Sequence, residues 1–439
     1  MKKRQTNKRL NQRYSKNLVV ASTSVSLRAL AKQSQNAKEI ASSFVPLTPR
    51  NDSSINKAVL FLFILFLPTQ LGKHFFFDFS YLSGVRVDYL APTIYLTDLL
   101  FLGLLILNFK TIWFFFVNKK MFFLFLILLV LSFFSISKPL FAYEVFKLFE
   151  ILTIFAVFKK KFLSSKYLLI GFLTGCIFEF ILALSQFIYK HSLQGVFYYF
   201  GERYLNLSTP NIAKASISGV EILRPYATFS HPNSLAGFYL LLHIFFLTDK
   251  KIESLFLKNI FLFLTSLLIL ISFSKVAIVT LLLINFVYFF RLQTKKCWLC
   301  LVSKLTIFSV VAWVFLLIKT DPFTVLKRLE LLKNSFTIIF QHPLFGVGLG
   351  NYLLAQNNFS SKYLTLINQP VHNIFLLYFA EFGILGGSLV VLLLIKPLIG
   401  LIKKYPYIFL AVGITGIFDH YWFTLQQNIL LLGIILGSL

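Results

Sequence analysis

Residues 167–189 read YLLIGFLTGCIFEFILALSQFIY, with Glu179 as the sole charge in the run. A helix rises about 1.5 Å per residue, so about 20 apolar residues cross a bilayer's hydrocarbon core. The apolar residues do not alternate with polar ones over short segments, as the strands of a membrane barrel would. The stretch therefore reads as a membrane-spanning helix. Similar blocks recur outward from it, for example at residues 121–135, in a chain that is 57% hydrophobic and 18% aromatic. Only 13% of residues are charged, against about a quarter in soluble domains. Hydropathy windows from Lys57 onward predict about twelve spans. They lie near 58–71, 91–108, 121–136, 140–158, 167–189, 233–248, 255–272, 275–290, 299–318, 372–395, 405–418 and 424–439. The fold class expected is all-α, a polytopic membrane protein.

The net charge of +27 follows the spans rather than suggesting nucleic acid. Every even-numbered connection is basic, through Lys110, Lys119 and Lys120, then Lys159, Lys160, Lys161 and Lys166. Lys250, Lys251 and Lys258 follow, then Arg291, Lys295 and Lys296, then Lys396, Lys403 and Lys404. Lysine and arginine are retained on the cytoplasmic side, so both termini are expected there, in a multi-pass protein of the cytoplasmic membrane. Residues 1–56 read as a disordered basic tail without an apolar face, with the functional start expected further along, and residues 57–439 as the membrane domain. Of three cysteines, Cys297 and Cys300 form a lone CxxC beside two lysines, short of the four ligands of a structural zinc site.

The two longest connections, 190–232 and 319–371, fall outside by this count, and long loops tend to carry function. Within the second, Leu326, Leu329, Leu332, Phe336 and Ile339 recur at helical spacing over Pro322–Gln341, interrupted by Lys327, Arg328 and Lys333. This predicts an amphipathic helix, lying on the membrane surface or packed against the spans. Alternating glycines in the following HPLFGVGLGN, residues 342–351, predict a sharp loop able to re-enter toward a site.

Four polar clusters share the outer side: Arg224 to Asn233 (RPYATFSHPN), Ser274-Lys275, His372-Asn373 with Glu381 beyond, and Asp419-His420-Tyr421-Trp422. Each has a plain alternative. Cations near span ends snorkel, a histidine or Pro-Asn can open a helix, and Tyr-Trp can belong to an aromatic belt. Their convergence instead suits an anionic substrate. Guanidinium and ammonium groups bind phosphate, and imidazole can accept a proton near neutral pH.

Taken in order, RPYATFSHPNSLA, SK, HPLFGVGLGNY and VHNIFLLYFAEFGILG resemble the O-antigen ligase and polymerase family over about residues 57–439. Such enzymes move a glycan from an undecaprenyl-diphosphate carrier to an acceptor hydroxyl at the outer, periplasmic face of the membrane. The resemblance implies that Arg224 and Lys275 hold the diphosphate and that His372 deprotonates the acceptor. Asp419, His231, Asn233, Asn373, Ser274 and His420 would complete the substrate-binding surface. Lysine at 275 and histidine at 231 depart from the family's usual residues. No outer D-x-D pair is present, so the implied transfer needs no metal or cofactor, and direct displacement would invert the anomeric carbon. The implied acceptor is another lipid-linked glycan, a lipid A core-type sugar or a protein hydroxyl; no nucleic-acid partner is expected. A polymerase or protein O-glycan ligase of the same family, and a lipid-linked glycan transporter, are the alternatives.

Overall fold

The computed structural model describes residues 50–210, 212–217, 219–292, 322–359 and 368–439. The chain divides into two units, Met1–Ile55 and Asn56–Leu439. Most of the tail, the span expected at 299–318 and the Cys297/Cys300 pair lie outside the described residues.

The described chain is mostly helical. In order the helices are α1 (Arg50–Phe66), α2 (Leu96–Leu107), α3 (Phe109–Phe116), α4 (Lys119–Phe134), α5 (Lys138–Phe158) and α6 (Ser165–Tyr189). Next come α7 (Pro232–Thr248), α8 (Leu255–Ile271), α9 (Lys275–Leu292) and α10 (Pro322–Gln341). The series continues with α11 (Tyr352–Gln356), α12 (Ile374–Phe382), α13 (Ile384–Lys404), α14 (Pro406–Phe418), α15 (Tyr421–Thr424) and α16 (Gln426–Ser438). Two of them, α6 and α13, are long and apolar enough to cross a membrane alone, and α2 with α3 form a third candidate bent by 87°. Several shorter apolar helices, among them α7, α8, α14 and α16, fall where spans are expected. The protein is a helical membrane protein; the count of twelve spans remains an expectation.

Why the core forms where it does follows from α7. Residues 234–246 are all buried, and a helix apolar on every side belongs at the centre of a bundle. It packs on α8, α9, α14 and α16. The bundle's perimeter presents large apolar side chains, such as Phe133, Ile181 and Leu392, at more than half exposure, as a lipid-facing surface requires. Inside, Lys147 bridges Asp98 at 2.8 Å and Glu150 at 3.1 Å, tying α2 to α5. Gln426 of α16 donates to Asp98 at 2.5 Å and closes the network.

Three features depart from the expected plan. Three antiparallel ribbons occur in the connections: β1 (Gly72–His74) with β4 (Thr93–Tyr95), β2 (Tyr81–Leu82) with β3 (Val85–Arg86), and β5 (Lys214–Ile217) with β6 (Val220–Leu223). The second span turns sharply at Asn108, whose buried amide exchanges hydrogen bonds with Asn56 at 2.9 and 3.0 Å. The stretch expected as one span over 372–395 is two helices, broken at Gly383 with φ 71°.

That break has a physical cause in the glycine loop. Val347 donates its backbone N–H to Ala380 O (3.0 Å) and Gly348 to Glu381 O (2.9 Å), taking carbonyls at the end of α12. Beyond the break, Ile384 and Gly386 donate to Pro343 O (2.7 Å) and Leu344 O (3.0 Å). Gly346, Gly348 and Gly350 all have positive φ. A Cβ at Gly346 would strike the Glu381 carbonyl, and one at Gly348 would lie 2.5 Å from Ser135 Oγ. The sharp loop read from the alternating glycines is present, and it packs into the break between α12 and α13.

Candidate active site

Arg224 follows directly on β6, whose pairing with β5 fixes where it leaves the ribbon. The backbone after it is unwound yet satisfied. Gln186 Oε1 of α6 accepts from the N–H groups of Tyr226 (3.0 Å) and Ala227 (2.8 Å), and the Glu179 carboxylate from the N–H of Thr228 (3.1 Å). Ala227 takes φ 49°, a left-handed turn that aims the chain into α7. Pro232 is the first residue of α7, and His231 caps it by accepting the N–H of Asn233 at Nδ1, 3.1 Å away. Pro-Asn therefore does open a helix. The Asn233 side chain is left free to face the site.

From there a chain of contacts crosses the site. Arg224 donates from Nε to Ser272 O at 2.9 Å and from Nη2 to Asn233 Oδ1 at 2.6 Å. Asn233 Nδ2 donates to Asp419 Oδ2 at 2.7 Å. The other carboxylate oxygen accepts the N–H of His420 at 2.8 Å. Each of His372, Asp419 and His420 offers a donor atom within 4.8 Å of the others, and the two rings meet edge-on at 5.3 Å. Ser272 opens the turn leading through Ser274 to Lys275, which stands within the field of Arg224. The structure thus brings Arg224, His231, Asn233, His372, Asp419 and His420 together, with Ser274 and Lys275 at the edge.

Asn373 has a different employment. Its side-chain oxygen accepts from Phe375 N (2.9 Å) and Leu376 N (3.0 Å), capping α12, and its amide reaches Ile417 O (3.2 Å). The capping considered for His372 is therefore done by its neighbour. Nδ1 of His372 is buried and has no hydrogen-bond partner among the described residues. Glu381 sits apart, holding the backbone of Gly350 and Tyr352 in the glycine loop. Tyr421 and Trp422 are not an exposed belt. They are 3% and 5% exposed, and the indole N–H donates to Thr415 Oγ1 at 2.8 Å.

The charges are set by burial. Desolvation brings Arg224 down to about 10, so it stays cationic at neutral pH. Desolvation, with Arg224 nearby, lowers His231 to about 3; desolvation, opposed by Asp419, lowers His372 to about 4, and His420 is lowered by the same burial. Burial alone would raise Asp419, but the surrounding imidazoles and the Asn233 amide bring it down to about 2. At pH 7 the site is one carboxylate among neutral imidazoles and fixed cations.

One of those cations escaped the sequence reading as a site residue. Arg328, on α10, is close enough to act electrostatically on Arg224, His372 and His420. Its Nε is buried without a hydrogen-bond partner among the described residues. The signal was an arginine interrupting the apolar stripe of α10, read there as surface charge. That helix is packed through Leu331, Ile338 and Ile339 and touches α12, while Leu326, Leu329 and Phe336 are about half exposed. Tyr89, from the β3–β4 connection, adds a ring 5.6 Å from His420.

A family model described as O-Antigen ligase matches residues 260–391. Over those 132 of its 439 residues the chain is similar to the O-antigen ligase family. The matched segment includes Lys275, Arg328, the glycine loop and His372; Arg224, Asn233 and Asp419 lie outside it and are joined to it by the contacts above. No curated protein matches the chain. The match is to a family of membrane glycan-processing proteins, and it implies a lipid-linked glycan and an acceptor as partners. The His372, Asp419 and His420 trio is a set that could grip a divalent ion, and one ring nitrogen of His420 is 2.7 Å from Thr424 Oγ1. That contact occupies Nδ1 and leaves Nε2 of His420 as the ring nitrogen able to join the other two donors.

Proposed function

We propose that this O-antigen ligase-type protein transfers a glycan from an undecaprenyl-diphosphate carrier to an acceptor hydroxyl at the outer face of the cytoplasmic membrane. The observation that carries the reading is the convergence of half-buried Arg224 and Arg328 on a neutral His372 that meets Asp419 and His420. Neutral His372 accepts the acceptor's hydroxyl proton as that oxygen attacks the anomeric carbon. The bond from that carbon to the diphosphate oxygen breaks, and the electron pair leaves with the diphosphate. Arg224, Arg328 and Lys275 offset the charge developing there, the kind of preorganised stabilisation that contributes most in water-poor sites. Arg224 is prepared for this by Ser272 O and Asn233, which fix its orientation before substrate arrives. Asp419 stabilises the imidazolium formed on His372. A single displacement inverts the anomeric centre. Fixed cations supply the charge, so the reaction proceeds without a metal.

The acceptor class separates ligase from polymerase and protein-glycan ligase, and the proposal is the ligase. Transport of the same lipid is disfavoured by the acids within the helices. Glu150 is paired with Lys147, and Glu179 accepts from Thr228 Oγ1 at 2.6 Å, so both hold structure. The test is transfer by purified protein from an undecaprenyl-diphosphate glycan to a lipid A core-type acceptor, followed by mass spectrometry of the product. Product should form in EDTA and be lost in Arg224→Ala. Transfer by Arg224→Ala at the wild-type rate would remove the proposed site.

A further inference from the structure

At the end of the bundle away from this site lies a cavity of about 1080 Å³. His231 caps one end of α7 and Thr248 closes the other, 17 residues and about 25 Å along; Thr248 lines the cavity. Its walls carry Lys161, Lys166, Lys250, Lys251, Lys403 and Lys404. Against these six ammonium groups stand two side-chain carboxylates, Asp249 and Glu253, and no ion pair joins them to the lysines among the described residues. The rule that retains lysines in the cytoplasm explains their side of the membrane. It does not explain why three separate connections turn theirs toward one hollow.

Two further features point the same way. The N-termini of α6, α8 and α14 all open on the cavity, through Ser165, Ser254 and Pro406. Their partial positive charges favour an anion. The Tyr407 hydroxyl, also in the lining, is buried and has no partner among the described residues. The inner wall is apolar, with Leu60, Val157 and Phe245. Six cations above an apolar floor suit a phosphate group carried on a hydrophobic body.

We propose that this cavity binds a phosphate-bearing anion, with an anionic phospholipid headgroup as its source, at a site separate from the transfer centre. Binding here does not involve Arg224 or His372, so it is measured independently of transfer. The full chain in detergent would be titrated with cardiolipin, phosphatidylglycerol or phosphatidylcholine and bound lipid counted by native mass spectrometry. Inorganic pyrophosphate, read by thermal shift, forms a second arm. Wild type should retain the anionic lipids over phosphatidylcholine. Lys250→Gln/Lys403→Gln/Lys404→Gln should weaken them about tenfold or more, since each lysine near an anionic surface contributes roughly fivefold. Arginine at the same three positions should restore binding, which guards against misfolding as the cause. Lys110→Gln/Lys119→Gln/Lys120→Gln removes equal charge outside the cavity and should bind as wild type. Equal loss in both glutamine variants, or none in the first, would overturn the proposal. A pyrophosphate response that depends on Lys403 and Lys404, without lipid preference, keeps the anion site and replaces the lipid with a soluble phosphate.

Discussion

His372 is held neutral well below its usual range, and that sets both its chemistry and its acid sensitivity. Its pKa near 4 means that the acid limb of kcat/KM, which reports the free enzyme, should lie near pH 4 and not near 6.5. A pH profile of transfer checks this; a midpoint at 6.5 would place the titrating base elsewhere. His372→Ala should lower turnover by about 10²–10⁴-fold. Asn373→Ala should instead cost about 1 kcal/mol of helix stability through a lost cap, with a smaller effect on rate. Stability carries the same sign. His231 and His372 titrate lower folded than unfolded, so the unfolded chain binds more protons below about pH 6.5. Their contribution is whole above that pH and is lost as pH falls toward 4 for His372 and toward 3 for His231. Asp419, also lowered, contributes above about 3.8 and loses it toward 2. The residue types were legible in the sequence because a charge beside an apolar block is conspicuous. Arg328 was not, because in an amphipathic helix a lone arginine looks like any solvated charge. Arg328→Ala should cut transfer about 10²-fold or more, and Arg328→Lys should recover part of it, since lysine keeps charge without the fork.

Among elements, the split between α12 and α13 is the largest departure from the periodic reading. Residues 372–395 carry a mostly apolar run in which glycines such as Gly383 are ordinary, so hydropathy joins them. The partners that hold the break open, Pro343 to Gly348, are some 35 residues earlier in the chain, beyond any local pattern. The loop itself was readable, because three alternating glycines have few other uses. Gly346→Ala and Gly383→Ala combine positive φ with a backbone clash and should each destabilise the fold by about 2 kcal/mol or more. Gly400→Ala, in open space within α13, should be neutral or slightly stabilising. Thermal unfolding in detergent distinguishes the two groups. Similar melting temperatures for all three would mean that the loop does not maintain the break.

For the molecule as a whole, helix positions were recoverable from hydropathy almost throughout, while the ribbons in the connections were not. Short strands of two to four residues are made by pairing, and pairing is invisible in composition. Topology is checked by cysteine substitution at Ser208 and Asn358, both exposed, in a cysteine-free background. An impermeant maleimide should label both in intact cells and should leave a cysteine at Lys250 unlabelled. Lys147→Met leaves Asp98 and Glu150 buried without their cation and should cost about 3–5 kcal/mol. The broken span also dictates an order of synthesis. A nine-residue half-helix is about 13 Å long and cannot cross a bilayer unaided. The loop that supports it, and Ser135 beneath that loop, leave the ribosome first, so each piece emerges onto a seat already built. Asp419 and His420 emerge after Asn233 and His372, the site residues they meet. During translation the arginines of the site, Arg224 and Arg328, are therefore made before its carboxylate, Asp419.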